Sequence, residues 1–98
     1  MDTRPDTLVL DIGGDVGALV IAAGPELAER EIEISPGVDP TTRRSHNVVH
    51  ARHGRSHVAY TAVFPGVPAG EYTVWHHDGS PHAVVTIHGG QVTQHSMM

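Results

Sequence analysis

The chain has 98 residues, 39% of them hydrophobic and 17% charged, with eleven glycines, seven prolines and no cysteine. This length allows one domain with one core over residues 1–98, in which 1–6 and 96–98 are expected to be flexible termini. The many glycines and prolines exclude a helical bundle, and the lack of cysteine excludes disulfides and thiolate metal sites.

The charge of the chain narrows the classes of partner. Eleven acidic residues against six arginines, with no lysine, give a formal net charge of -5. Nucleic acids and anionic membranes need a basic face, so we expect neither as a partner. The N-terminus lacks the pattern of a signal peptide, and no run approaches the ~20 apolar residues of a membrane-spanning helix. The sequence therefore predicts a cytoplasmic protein.

Taken in chain order, runs of alternating and β-branched residues predict eight strands. These runs are 7–12, 18–23, 30–34, 47–52, 56–64, 71–76, 83–88 and 91–95. Turn residues separate them at intervals of about ten residues, which is typical of an antiparallel β-sandwich. The segment REIEI alternates isoleucine with glutamate, as a strand with one buried face requires. The predicted fold class is therefore all-β, an antiparallel β-sandwich of seven to eight short strands.

Two glycine-containing turns predict hairpins with a definite register. If His53 and Gly54 form a two-residue turn, His50 lies directly opposite His57 on the neighbouring strand. If the Gly-Gly pair at 89–90 forms the second turn, the last two runs pair with each other. Their histidines then share the face opposite the stronger apolar residues.

The segment FPGVPAGEYTVW (64–75) contains a strand, a proline-glycine turn and a second strand that opens with Gly-Glu-Tyr. It resembles the penultimate hairpin of transthyretin-like (prealbumin-like) and carboxypeptidase-regulatory-like sandwiches. With EIEISP before it and DGSPHAVVTIHGGQVTQ after it, the chain is also similar to a group of short actinobacterial proteins. The resemblance implies a transthyretin-like sandwich, an architecture that hosts carriers, adhesion modules, inhibitors and a few enzymes.

All nine histidines lie at or after residue 46, and neutral imidazole is a good ligand for zinc, nickel and copper. The first candidate group of metal ligands is His76, His77 and His82. Adjacent strand residues point to opposite faces, so His76 and His77 can share an ion only where the strand has ended.

The second candidate group of metal ligands is His46, His50 and His57. The predicted register places the Cβ atoms of His50 and His57 within about 4.5–5.5 Å of each other. His46 precedes His50 by four residues, about 13 Å along an ideal strand. A bend, or a second subunit of a symmetric oligomer, must therefore bring His46 to the site.

Two further interpretations of the histidines remain open. In the first, the histidines have no specific function: histidine is a soluble polar residue that tolerates the exposed face of a sheet, and this chain has no lysine to occupy such positions. Alternatively, the histidines confer pH sensitivity, because protonating all nine changes the formal charge from -5 to +4 between about pH 7 and 5.

Enzymatic interpretations have less support in the sequence. The adjacent pairs Ser45-His46 and Ser56-His57 diverge if they lie on strands, so neither forms a catalytic pair. A metal-assisted hydrolase needs a carboxylate base, and only Glu71 and Asp78 lie in the histidine-rich half. Hydroxyisourate hydrolases, the enzymes among transthyretin-like proteins, end in Tyr-Arg-Gly-Ser, whereas this chain ends in TQHSMM. The resemblance therefore carries over no catalytic residue.

The sequence predicts a homo-oligomer that acts as a non-catalytic binding or assembly module, with a protein as a further candidate partner. Nine of the eleven acids lie at or before Asp39, whereas four of the six arginines lie after it, so the two halves can complement each other between subunits. The module binds zinc, nickel or copper through its histidines in one form of this prediction. In the alternatives it is a metal-free homo-oligomer with pH-sensitive histidines, or a small metal-assisted hydrolase.

Overall fold

The computed structural model of the chain describes Leu10 and residues 12–98. The strand predicted at 7–12 lies outside this part of the chain, apart from Leu10 and Ile12, which belong to no strand. The described residues form β1 (Val16–Ala23), β2 (Glu31–Pro36), β3 (Ser45–Val48), β4 (His50–His53), β5 (Val58–Pro68), β6 (Gly70–Trp75), β7 (Pro81–Ile87) and β8 (Val92–Ser96). Between β1 and β2, Pro25–Leu27 form one 3-10 turn.

The strands form two four-stranded sheets, which confirms an all-β sandwich. The first sheet has the order β4-β5-β1-β8, and the second has the order β3-β2-β6-β7. All neighbouring strands are antiparallel except β1 and β8, which run parallel. Both sheets are open, so β4 and β8 are the edges of the first sheet and β3 and β7 those of the second.

The core lies between the sheets and follows the alternation of the strands. In β1, Leu19 and Ile21 are fully buried, and in β2 the predicted alternation is confirmed because Ile32 and Ile34 are buried. Burying each such aliphatic side chain stabilises the fold by about 1.5–3 kcal/mol. The opposite face of β2 carries its glutamates, as the sequence predicts.

The four aromatic residues are all packed, but not all in one place. Phe64 and Tyr72 belong to the core, and Tyr60 packs against it from a partly buried position. Trp75 is 4% exposed, yet its Nε1 donates a hydrogen bond to Ser35 Oγ (2.9 Å). Because Ser35 lies on the face of β2 opposite Ile34, Trp75 is buried on the outer face of the second sheet.

The run 47–52 was predicted as one strand, and this prediction is wrong. The chain changes sheets at Val49, which separates β3 in the second sheet from β4 in the first. Val49 is fully buried, and its N–H and C=O are bonded to the backbone of Arg30 and Glu29. These bonds hold the connection away from both ladders, so each half of the run pairs separately.

The predicted register at His53-Gly54 is also wrong. The N–H of Gly54 donates to the C=O of His57 (2.9 Å), which closes a longer turn and pairs His53 with Val58. His50 is consequently opposite Thr61. The expected cross-strand pair of His50 and His57 is not formed.

The last two strands do not form the predicted hairpin, because β7 lies in the second sheet and β8 in the first. Glycines allow this crossing. A Cβ at Gly89 would overlap the carbonyl of Gly14, and one at Gly17 would overlap the carbonyl of His88. The segment 64–75 likewise spans both sheets, since β5 and β6 belong to different ones.

The last described residues contact β1 and the core. Ser96 belongs to β8, the N–H of Met97 donates to the C=O of Ala22 (2.8 Å), and Met97 packs against the core. No helix of the described residues has the length and apolar character needed to cross a membrane.

Candidate functional site

Three histidines from different elements form a continuous row on the side of the sandwich where β7 and β8 are the edge strands. We call His76, His82 and His95 the histidine row. The ring centroids of His76 and His82 are 4.8 Å apart with an interplanar angle of 77°, and those of His82 and His95 are 5.0 Å apart at 68°. Each contact is edge-to-face, so the row links the two sheets through imidazole rings.

The turn between β6 and β7 positions the first two members of the row. The N–H of His76 donates to the C=O of Ser80 (2.8 Å), and Asp78 Oδ1 accepts bonds from the N–H and hydroxyl of Ser80. Next to this turn the pairing of β6 with β7 slips by one residue, so that Trp75 faces Pro81 and His82 is the extra residue. A bulge of this kind redirects the side chain it contains.

The parallel pairing of β8 with β1 positions the third member of the row. His95 is the partner of Ile21, whose side chain lies in the core, so His95 points inward towards the second sheet. Its Nε2 is buried without a hydrogen-bond partner among the described residues. Burial, and to a smaller extent charge on His82, lowers the pKa of His95. The environment therefore favours the neutral imidazole.

The structure brings together part of the first predicted group of metal ligands. His76 and His82 are in contact, but His77 is exposed, and His95 takes the third position. In edge-to-face contacts the ring nitrogens do not converge on one point. Within Leu10 and residues 12–98, no group of three or more histidine, aspartate or glutamate side chains is arranged to hold a metal ion.

The second predicted group of metal ligands is distributed over separate elements. His46 lies on β3 opposite Glu33 of the second sheet, whereas His50 lies on β4 opposite Thr61 of the first sheet. His57 lies in the loop before β5. All three histidines are exposed.

A second feature beside the histidine row is an open groove of ≈ 550 Å³ on the outer face of the second sheet. We call it the Trp75 groove. Its lining is mainly apolar and consists of Val38, Pro40, Thr73, Trp75, Pro81, His82, Ala83 and Val84. The volume falls within the range of small-ligand and peptide pockets. His82 therefore belongs both to the groove and to the histidine row.

Polar contacts fix the floor of the groove. The guanidinium of Arg44 lies 3.8 Å from the centroid of the Trp75 ring, and its Nη1 is 3.1 Å from Glu33 Oε1. Thr73 Oγ1 donates to the C=O of Gly37 (2.5 Å), which ties the loop between β2 and β3 to β6. Because Arg44 is engaged by both Trp75 and Glu33, its charge is compensated.

Two ionised carboxylates belong to the loops that border the groove. Bonds from the N–H and then the hydroxyl of Thr41 lower the pKa of Asp39. Bonds from the hydroxyl and then the N–H of Ser80 lower the pKa of Asp78, and positive charge on the adjacent histidines has a smaller effect. Both carboxyl groups are fully exposed and carry negative charge at neutral pH.

The fold and these two features define a small β-sandwich that carries a row of histidines and an apolar groove on the side of β7 and β8. No family model and no curated protein matches the chain. A similar solved structure is that of a leucine-rich repeat protein from Bacteroides thetaiotaomicron VPI-5482, with a TM-score of 0.53 and 11% sequence identity. The alignment covers 85% of this chain and 12% of that chain. At this identity the likeness shows the fold alone.

Two residues of the candidate site, His95 and Trp75, are not among the residues that the sequence predicts. His95 was assigned to a hairpin with β7, and only the long-range parallel pairing with β1 turns it towards His82. Trp75 is not among the predicted site residues, although it lines the outer groove. A local signal existed for Trp75, since Thr73 and Trp75 share the strand face opposite Tyr72 and Val74.

Proposed function

We propose that this chain is a non-catalytic binding or assembly module whose open side, formed by β7 and β8, responds to pH through the histidine row. The observation that supports the proposal most directly is the continuous contact of three imidazoles from β7, β8 and the end of β6. The two edge strands belong to different sheets, so the row lies where the sandwich can open.

Protonation changes the interactions within the row. Neutral imidazoles contact each other favourably edge to face, whereas two imidazolium ions with centroids 5.0 Å apart repel each other. His95 faces the uncharged Ile21 on β1 and His82 on β7, and Asp78, in the turn between His76 and His82, is exposed and bonded to Ser80. Acid is therefore expected to loosen β7 and β8 relative to each other.

The proposal includes a homo-oligomeric form and a metal-bound form of the module, and each form has its own structural requirement. Homo-oligomers would pair the free edge strands that an open sandwich exposes. Zinc, nickel or copper would require the rings of the row to turn until their nitrogens converge. A metal-assisted hydrolase, the remaining alternative, has less support because Ser80 engages Asp78 and Glu71 lies opposite Thr86 on the β6–β7 ladder.

The likeness to transthyretin-like sandwiches is part of the proposal as well. It is supported by the two four-stranded sheets and by the Gly-Glu-Tyr start of β6. The proline-glycine turn expected in the segment 64–75 is not formed, because Pro65 and Gly66 lie within β5 and Ala69 alone separates β5 from β6. The likeness implies a binding role without naming a ligand.

Hydrogen exchange on the full chain tests the pH response. We expect the protection factors of β7 and β8 amides to fall between about pH 7.5 and 5.5, while those of β1 persist. His82→Gln removes the middle ring and should abolish this difference, whereas His53→Gln changes an exposed histidine of β4 and should leave it intact.

An equal loss of protection in all strands, or an unchanged response in His82→Gln, would contradict the proposed pH response. The same samples also distinguish the forms of the module. Sedimentation velocity shows whether the chain associates, and repetition after chelation shows whether metal is needed.

A further inference from the structure

The edge strand β7 lines the Trp75 groove. Its inner side pairs with β6, and no strand among the described residues pairs with its other side. Val84 in the middle of β7 is 51% exposed and lines the groove, and Val38 on the opposite wall is 70% exposed. On that side Thr93 Oγ1 of β8 donates to the C=O of Thr86 (3.2 Å), so the part of the edge left for a partner is the beginning of β7, from Pro81 to Val84, beside the apolar groove.

We propose that β7 and the Trp75 groove bind an extended segment of a partner protein, with apolar side chains at alternate positions and basic residues at its ends. The inference rests on the proposed function as a binding module and names the partner of its open side. Main-chain hydrogen bonds to the β7 edge provide affinity, and the groove provides specificity for alternate side chains.

The dimensions favour an added strand. A strand paired with β7 lies about 4.8 Å from it, and its side chains on one face recur every 6.6–6.8 Å or so. One such face would lie beside Val84 at the rim of the groove, with β7 between it and Trp75, while the other face continues the inner side of the second sheet. A partner with apolar residues on the groove face and small polar residues between them fits this edge.

Charge favours basic ends on that segment. Asp39 lies between the two wall residues Val38 and Pro40, and Asp78 begins the turn that leads into Pro81. The carboxylates of both are exposed and ionised, and the guanidinium of Arg44 nearby is engaged by Glu33. The groove is therefore apolar along its length and negative at its borders.

A second copy of this chain fits the groove less well than a basic partner does. Each copy carries a net charge of -5 and would bring the same two aspartate-containing loops to the interface. Like charges across a protein interface disfavour the pairing.

The test uses the full chain and a synthetic peptide in which valine alternates with threonine and arginine occupies both ends. Trp75 is the only tryptophan and lies in the groove, so its fluorescence reports binding. We expect a dissociation constant between about 1 μM and 1 mM. A peptide of the same composition with its valines in one block, and one with glutamate ends, should bind at least about tenfold more weakly.

Two lysine variants locate the binding edge. Val84→Lys places a charge on the solvent face of β7 and should weaken peptide binding by about tenfold or more. Val92→Lys adds the same charge at a 42% exposed position of β8, outside the groove, and should retain the affinity of the unchanged chain. Because both variants gain one positive charge, their difference reports the location and not the charge.

Several outcomes would overturn the inference. The first is the absence of binding up to about 1 mM peptide. The second is an equal loss of peptide affinity in the two lysine variants. The third is protection from hydrogen exchange, in the free chain, of the β7 amides that point away from β6. A dimer that Val84→Lys dissociates would identify a second copy as the occupant. That outcome would overturn the partner assignment and leave the proposed assembly function intact. A missing pH response in the hydrogen-exchange test would contradict the proposed pH response and leave the peptide-binding inference untouched.

Discussion

At the scale of single residues, His95 has the clearest thermodynamic consequence. Its pKa is lowered in the folded chain by burial and then by His82, whereas in the unfolded chain it returns to the usual 6.5. The unfolded chain therefore binds more protons between the lowered pKa and about pH 6.5. The free energy of unfolding should fall as the pH drops through this window and be independent of His95 above it.

This dependence can be measured by urea unfolding at a series of pH values. His95→Phe replaces the titrating ring with an apolar ring of similar shape, and the slope of stability against pH between about 6.5 and 5 should become shallower. His53→Phe, on the exposed face of β4, should keep the slope of the unchanged chain. A slope that is the same in all three chains would show that His95 is not the titrating group, whatever the absolute stabilities are.

The residue scale also shows what the sequence could reveal about the candidate site. His76 and His82 were identifiable because they flank a turn that contains Asp78 and Ser80, and such turns can be recognised locally. His95 could not be assigned to the same site. Its position depends on β8 pairing with β1, more than seventy residues earlier in the chain, and no local pattern encodes that contact.

At the scale of elements, alternation predicted where strands occur but not which sheet they join. REIEI has one apolar face, and β2 buries that face as expected. The runs after it contain apolar residues on either side of a short break, which is equally compatible with a hairpin and with a crossing between sheets. The chain crosses between the sheets at Val49 and at the glycines 89–90, because these residues form backbone bonds with distant segments or approach them closely.

The crossing from β7 to β8 passes so close to Gly17 that this position has no room for a side chain. A Cβ at this position would overlap the carbonyl of His88 and lie 2.8 Å from Ile87 Cγ2. Gly17→Ala should therefore destabilise the chain by about 1–3 kcal/mol, because backbone must move to relieve the overlap. At Gly54 the nearest heavy atom to an added Cβ is the carbonyl oxygen of His57 at 3.3 Å, which a shift of a few tenths of an ångström relieves, so Gly54→Ala should destabilise the chain less than Gly17→Ala does.

Thermal or urea unfolding of the two alanine variants measures this difference. Equal stabilities would show that the segment after β7 does not pack tightly on β1, and the position of β8 in the first sheet would then need revision. A selective loss in Gly17→Ala would support both the crossing and the inward direction of His95, which depends on it.

At the scale of the whole molecule, charge determines how the open side meets its partner. The chain is at -5 with neutral histidines and reaches +4 when all nine are protonated, so its field changes sign in a mildly acidic range. The acids of the groove borders remain ionised over that range because bonds from Thr41 and Ser80 lower their pKa values. A basic segment is therefore attracted at neutral pH by both the local and the overall charge.

This attraction should appear in the association rate of the arginine-ended peptide, measured by stopped flow with Trp75 fluorescence. Raising the ionic strength from about 0.01 M to 0.15 M shortens the screening length from about 30 Å to 8 Å and should slow association, with little change in dissociation. Acidification to about pH 5.5 should slow it further, because the protonated histidines oppose the approaching arginines. If the glutamate-ended peptide binds, its association rate should rise with both changes. An association rate that changes in the same direction for both peptides would show that long-range charge does not steer binding at this edge.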